Sequence, residues 1–265
     1  MRRLSNSRAA EPDSAGLEGF PRTSLEGDPR EAGVDAIAGL RPFGRDIPEQ
    51  RLAPSDDQPG SAEERALASA RSLAEKGRRL DAILVLEKLG LDQPTLVEPR
   101  VELAALLASA GDLERAIEQL SATIAIAQNP TAILVNRGAF HAQMGQTKEA
   151  EQDFREAIRR DVSYYPAYRY LGVTRLRLGA AGEAIEVLRE ALSLAPHDPE
   201  TTLYLGEALL THGNLEDAQR VLAEAVVLLP ADSRGFKLLG RLFDRLGLSD
   251  EAMEMHRKAN EATST

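Results

Sequence analysis

From residue 61 onward, apolar residues recur with the period of a helix, and the helical stretches come in pairs. Ala66, Leu67, Ala70, Leu73 and Ala74 fall at the three- and four-residue spacing that places them on one helical face. Gly77 follows, a residue free to take the left-handed conformation that ends a helix. A second stretch carries Leu80, Ala82, Ile83, Leu86 and Leu89, and Pro94 closes the unit. The pattern predicts a helical hairpin. Its start is marked by Ser61-Ala62-Glu63-Glu64, a capping box in which Ser61 accepts from the first turn and Glu64 reaches back.

The hairpin returns every 34 residues. Its beat is a glycine followed five positions later by an alanine: Gly77 and Ala82, Gly111 and Ala116, Gly145 and Ala150, Gly179 and Ala184, Gly213 and Ala218, Gly247 and Ala252. An internal period of this length means stacked units, each too small to bury its apolar face alone. Six units are predicted, at 63–96, 97–130, 131–164, 165–198, 199–232 and 233–262. Several first helices are announced by a capping residue, as in Asn129-Pro130, Asp198-Pro199 and Asp232-Ser233, and proline suits the first helical position. Val97-Glu98-Pro99 is a less usual helix start.

Further positions share the register. Gly138, Gly172, Gly206 and Gly240 stand seven residues before the hairpin glycine, with Ala70 and Ala104 in the first two units. Ala157, Ala191, Ala225 and Ala259 follow in the second helices, so small residues are expected where paired helices cross. Leu171, Leu205 and Leu239 on first helices, and Leu120, Phe154, Leu188 and Leu222 on second helices, are expected to fill between units.

On these residues the chain resembles the tetratricopeptide repeat family. The unit at 165–198 matches with Tyr168, Leu171, Gly172, Gly179, Ala184, Leu188, Ala191 and Pro196. The next matches with Leu205, Gly206, Leu209, Gly213, Ala218, Leu222, Ala225 and Pro230. The last has Phe236, Leu239, Gly240, Phe243, Gly247, Ala252 and Ala259. The likeness spans about residues 63 to 262 and is weaker in the first two units. It implies an all-α, right-handed superhelical solenoid. Such arrays need a polar end, and the sixth unit carries His256 where the others have Leu or Phe, and Asn260 in place of Ile124, Ile158, Leu192 and Val226. This reads as a self-capped last hairpin, with a decayed last repeat as the alternative.

The resemblance also implies a function. First helices of the family line a concave groove that takes peptides or partner segments, through the second, fifth, sixth and ninth positions of each unit. Here those positions supply Val101, Glu102, Ala105, Val135, Asn136 and Ala139 in units two and three. Units four and five supply Arg169, Tyr170, Val173, Leu203, Tyr204 and Glu207. Unit six supplies Arg234, Lys237, Leu238 and Arg241, with Arg177 and Arg245 one turn further along. The expected groove runs from neutral to basic, which suits a ligand with an apolar stretch and an acidic or carboxylate end. The family's chaperone-tail readers use a set of Lys, Asn and Arg over three successive units. Only Asn136 fits a slot of that set, so this reading is not expected.

Composition narrows the rest. The chain has 32 Lys and Arg against 42 Asp and Glu, a net charge of −10, which disfavours phosphate-backbone binding. It has no cysteine, which removes disulfides and thiolate chemistry. Its four histidines, His141, His197, His212 and His256, show no metal-ligand spacing, and His197 and His212 are expected in turns. No phosphate loop, nucleophile elbow or HExxH occurs. No apolar run approaches the ~20 residues needed to span a bilayer. Met1-Arg2-Arg3 is basic, but no apolar stretch follows it, so a cytoplasmic address is expected.

Residues 1–60 differ in kind. They hold seven of the 14 prolines and scattered apolar residues without period, so a disordered tail is expected. Within it, Ala32-Gly33-Val34-Asp35-Ala36-Ile37-Ala38-Gly39-Leu40-Arg41-Pro42-Phe43 is either a mildly apolar patch of the tail or a short docking motif, for a partner or for the chain's own groove. The sequence as a whole points to a non-enzymatic interaction scaffold with a protein or peptide ligand, no cofactor and no nucleic acid. The alternative is an accessory subunit of an enzyme acting in trans.

Overall fold

The computed structural model describes residues 61–263. The expected tail, with its docking motif at 32–43, lies outside the described residues. Among the described residues twelve helices pair in order: α1 (Ala62–Glu75) with α2 (Arg79–Asp92), α3 (Val97–Ser109) with α4 (Leu113–Ile124), and α5 (Thr131–Gln143) with α6 (Thr147–Arg160). They continue with α7 (Tyr165–Arg177) and α8 (Ala181–Leu194), α9 (Pro199–His212) and α10 (Leu215–Leu228), and α11 (Ser233–Leu246) and α12 (Ser249–Thr263). Each helix packs on its hairpin mate and on the adjacent helix of the next unit, and α5–α7, α7–α9 and α9–α11 also touch directly. Contacts confined to near neighbours make the fold a solenoid.

Every turn between paired helices is built the same way. Gly77, Gly111, Gly145, Gly179, Gly213 and Gly247 have φ between 73° and 97°, and among the described residues no other type takes a positive φ. The residue after each glycine donates its N–H to the carbonyl five residues back, at 2.9–3.0 Å. This Schellman closure satisfies carbonyls that a helix end leaves orphaned. The alanine five positions on is at most 2% exposed in all six units.

Helix starts follow the sequence with one adjustment. The Ser61 hydroxyl accepts from Glu64 N, and Glu64 answers with a 2.8 Å bond from the Ser61 N–H. Asp198 and Asp232 cap α9 and α11 through Thr201 N and Arg234 N, at 2.9 and 2.8 Å. Asn129 accepts from Thr131 N, so Pro130 stands just outside α5 and not at its first position. Pro99 sits buried in the first turn of α3, where a missing N–H breaks no helical bond.

The large residues of second helices do reach the next unit, as Phe154 does in stacking on Tyr170, and they also pack within their own hairpin. A Cβ built on Gly138 would lie 2.6 Å from the Phe154 ring. On Gly172 it would lie 2.6 Å from Leu188, on Gly206 2.5 Å from Leu222, and on Gly240 2.5 Å from His256. The bulky side chain therefore drops onto the glycine of its own hairpin. The first-helix glycine makes room for it, while Ala157, Ala191, Ala225 and Ala259 are buried alongside. His256 occupies the slot of Leu and Phe against Gly240 of its own hairpin, and its Nε2 meets Asp244 Oδ2 at 3.0 Å. Two other expectations shift. His212 is the last residue of α9, not a turn residue. Leu80, read as part of the apolar face of α2, is 76% exposed.

The wedge makes a contrast testable. In Gly206→Ala the new methyl meets a fully buried leucine that has nowhere to move, which should cost about 1–3 kcal/mol. Gly90→Ala, in α2 with nothing within 4 Å of its Cβ, should be neutral or stabilising by about 0.5–1 kcal/mol. Urea unfolding midpoints of the two variants check the difference. Equal midpoints would remove the wedge from the account.

Candidate binding face

The first helices bring the expected groove residues into one row, and their packing divides them. On α5, Val135, Asn136 and Ala139 are at most 6% exposed. On α7, Tyr170 and Val173 are covered as well, with the Tyr170 ring stacked on Phe154 at 5.6 Å and 19°. Burial pushes the Tyr170 hydroxyl up to about 12. On α9, Leu203 and Tyr204 are buried, while Glu207 is partly open. These side chains join the units to one another.

The arginines divide too. Arg169 is buried against Asp198, whose carboxylate accepts from its Nη1 at 3.1 Å, and its guanidinium lies 5.4 Å from the Tyr170 ring centre. Arg234 holds Asp232 at 2.6 Å and Glu200 at 3.1 Å, lies over the Tyr204 ring at 5.7 Å and donates to the Tyr204 hydroxyl. Burial works against the Arg234 charge, but Asp232, Glu200 and Tyr204 outweigh it and hold its pKa above the ordinary arginine value. Arg245 donates to the Leu210 carbonyl at 2.6 Å. Lys237 and Arg241 are exposed, with no ion pair to another described residue.

Arg177, the last residue of α7, stands apart. All three of its guanidinium nitrogens are buried and none has a hydrogen-bond partner among the described residues. Burial lowers its pKa to about 10, against the pull of Tyr204 and Glu207. Burial likewise raises Glu207 above the ordinary carboxyl value, opposed by Arg241, Arg234 and Arg177. Thus α7, α9 and α11 gather three guanidinium groups around one carboxylate, and one of the three is unsatisfied.

Among the described residues no group of three or more His, Asp or Glu is placed to hold a metal ion, and no helix is long and apolar enough to cross a membrane. Two family models described as tetratricopeptide repeat match residues 141–199 and 175–242. The fold agrees with solved structures of that class. The chain is a tetratricopeptide repeat protein. A further model, for anaphase-promoting complex subunit 5, matches residues 95–133. PilW, a type IV pilus biogenesis factor, is 18% identical over 74% of this chain and 91% of its own, with a TM-score of 0.66. PilF of Pseudomonas aeruginosa is 19% identical over 73% and 88%, at 0.64. YrrB, a tetratricopeptide repeat protein with an unusual peptide-binding site, is 22% identical over 67% and 91%, at 0.52. At these identities the likeness is one of fold. No curated protein matches the chain.

Within this repeat array, the sequence reading missed the residues that quench the groove arginines. Asp198 and Asp232 are legible as caps, but each also pairs with an arginine, and Glu200 pairs with Arg234 from one unit earlier. The available signal was the acidic residue at the start of two successive first helices.

Asp198 gives a pH test. Burial alone would raise its carboxyl, but Arg169 and the bonds from Thr201 outweigh it and hold it below the usual carboxylate value. A depressed folded pKa means stability that is present above about pH 4 and lost as pH falls through the folded value. Asp198→Asn keeps a capping oxygen and removes the charge beside a buried arginine. It should cost about 2–3 kcal/mol at neutral pH, somewhat less than full removal of a buried partner. The gap from wild type should close below about pH 4. Unfolding free energies between pH 3 and 7 check this, and a gap independent of pH would show that the charge plays no part.

Proposed function

We propose that the array is a non-enzymatic protein-interaction scaffold whose first helices in units four to six take a peptide or partner segment with an acidic end. The observation that carries the reading is Arg177. A buried guanidinium without a partner lowers stability, because its desolvation is not repaid. A carboxylate arriving from a ligand would repay it, and Lys237 and Arg241 extend positive charge from the same row to solvent. Arginine and tyrosine are the side chains that most often dominate interface energy. The buried set of Val135, Asn136, Ala139, Tyr170, Val173, Leu203 and Tyr204 shapes the floor of this face, with Arg169 and Arg234 locked beside it. The ligand's contacts then fall on Arg177, Glu207, Lys237 and Arg241.

The test separates binding from packing. Truncating Tyr204 would open a cavity, so Arg177→Met is the sharper variant, since it keeps the aliphatic stem and removes the unpaired charge. It should raise stability by about 1–3 kcal/mol in urea unfolding. It should also weaken binding of a fluorescent oligoglutamate peptide about tenfold or more, the loss expected for one buried charge-assisted contact. Glu207→Gln should tighten the same peptide by removing the opposing carboxylate. Fluorescence anisotropy reads both. Destabilisation by Arg177→Met, or unchanged peptide binding, would overturn the proposal.

A further inference from the structure

The first unit carries an apolar stripe that the other units lack. Leu80, Leu84 and Leu91 lie within about 40° of one another on α2, at 100° per residue, and are 76%, 62% and 83% exposed. The repeat supplies its own control. The position of Leu80 is Glu114, Lys148, Gly182, Glu216 and Asp250 in units two to six. The position of Leu84 is Glu118, Gln152, Glu186, Arg220 and Glu254. The position of Leu91 is Ala125, Arg159, Ser193, Val227 and Glu261. Five hairpins therefore close with polar or small residues at almost every one of these sites, and the fold has no need of leucine there. Glu87 shares the stripe, but its carboxylate is drawn aside to Arg115 at 2.5 Å. Three neighbouring exposed leucines on one helix face are a surface built to be covered.

We infer that the stripe is the docking site for residues 34–43 of the same chain. Three observations select this occupant. The first is where the preceding chain arrives. Helix α1 begins after Ser61, and Gln93, just past the end of α2, donates to Glu63, so the leader joins the fold beside Leu91. The second is length. The 17 residues between Phe43 and Ser61 reach up to about 58 Å extended, while the stripe from Leu80 to Leu91 is about 16 Å long. The third is order and charge. Read back from Ser61, the leader offers a proline-bearing spacer, then Phe43, Leu40, Ile37 and Val34 with Arg41 and Asp35 among them, then Glu31, Asp28 and Glu26 against the single Arg30. Read from Leu91, α2 offers the leucines and then a turn with Lys76, Arg79 and Arg78, the last held by Asp81 at 2.7 Å. Apolar meets apolar and acidic meets basic in one direction along the helix. This surface lies on a second helix of unit one, away from the Arg177 face, and stands independently of the proposed ligand.

The absence of native cysteine makes a clean test in the full-length protein. Ile37→Cys with Leu84→Cys should form an intramolecular disulfide under mild oxidation. It should form at least about tenfold faster than Ile37→Cys with Glu186→Cys, which places the second thiol at the same register in unit four. Equal rates at the two sites, or disulfide-linked dimers in place of the internal bond, would overturn the inference, the dimers pointing to a second copy as occupant. Limited chymotrypsin digestion supplies a second measurement. The double variant Leu84→Glu and Leu91→Glu installs the residues that unit six already carries, Glu254 and Glu261, so the hairpin keeps its fold. Cleavage after Phe43, which Gly44 follows, should be several-fold faster in that variant than in the wild type. Unchanged cleavage would overturn the inference.

Discussion

The structure depends on one close approach, repeated. In each of the last four hairpins a large side chain of the second helix rests where the Cβ of a first-helix glycine would be. No other residue leaves that space, since even a methyl would stand at 2.5–2.6 Å from the wedge. The contact fixes the separation of paired helices, and the positive-φ glycine of the turn fixes their reversal. With both set, the outer surfaces of the hairpin can meet the next unit in only one register. The core then extends along the array in three clusters, each drawn from adjacent units.

That geometry brings α5, α7, α9 and α11 into mutual contact and decides the character of the face they form. Close-set first helices bury the residues that a more open groove would expose. Tyr170 and Tyr204 become spacers between units, and Arg169 and Arg234 are held by acidic side chains at the starts of neighbouring first helices. A charged residue in such a place is stable when paired and costly when not. Against this neutralised background Arg177 is conspicuous, because its surroundings desolvate it without satisfying it.

The two described ends of the array meet different demands. The sixth hairpin places His256 in the apolar wedge position and sets Asp244 against it, where units four and five have Leu176 and Leu210 at the matching register. Hydrogen bonding thus replaces apolar contact at the last unit. The first hairpin departs in the opposite sense, with leucines where later units carry charge. Departures from the repeat mark where a unit has something other than the next unit beside it.

The sequence alone determined the helix pairs, the turn geometry, the capping box at Ser61 and the 34-residue period. Each rests on local rules, a helical period, a left-handed glycine or a side chain capping its own helix, that act within a few residues. The wedge residues were visible and were read as filling between units, as Phe154 does on Tyr170. Their second contact, with the glycine of their own hairpin, was not seen, since spacing along a chain does not say how many neighbours a side chain meets. Leu80 was misplaced for a related reason: apolar character fits a buried face and an exposed stripe equally well. The groove positions were found by register, yet which arginines are spent and which is left over was decided only in three dimensions. Ion pairs such as Arg169 with Asp198 join residues 29 positions apart, and burial depends on how near neighbouring helices stand. Local chemistry writes the repeat, and the packing of one repeat on another decides what remains available to a partner.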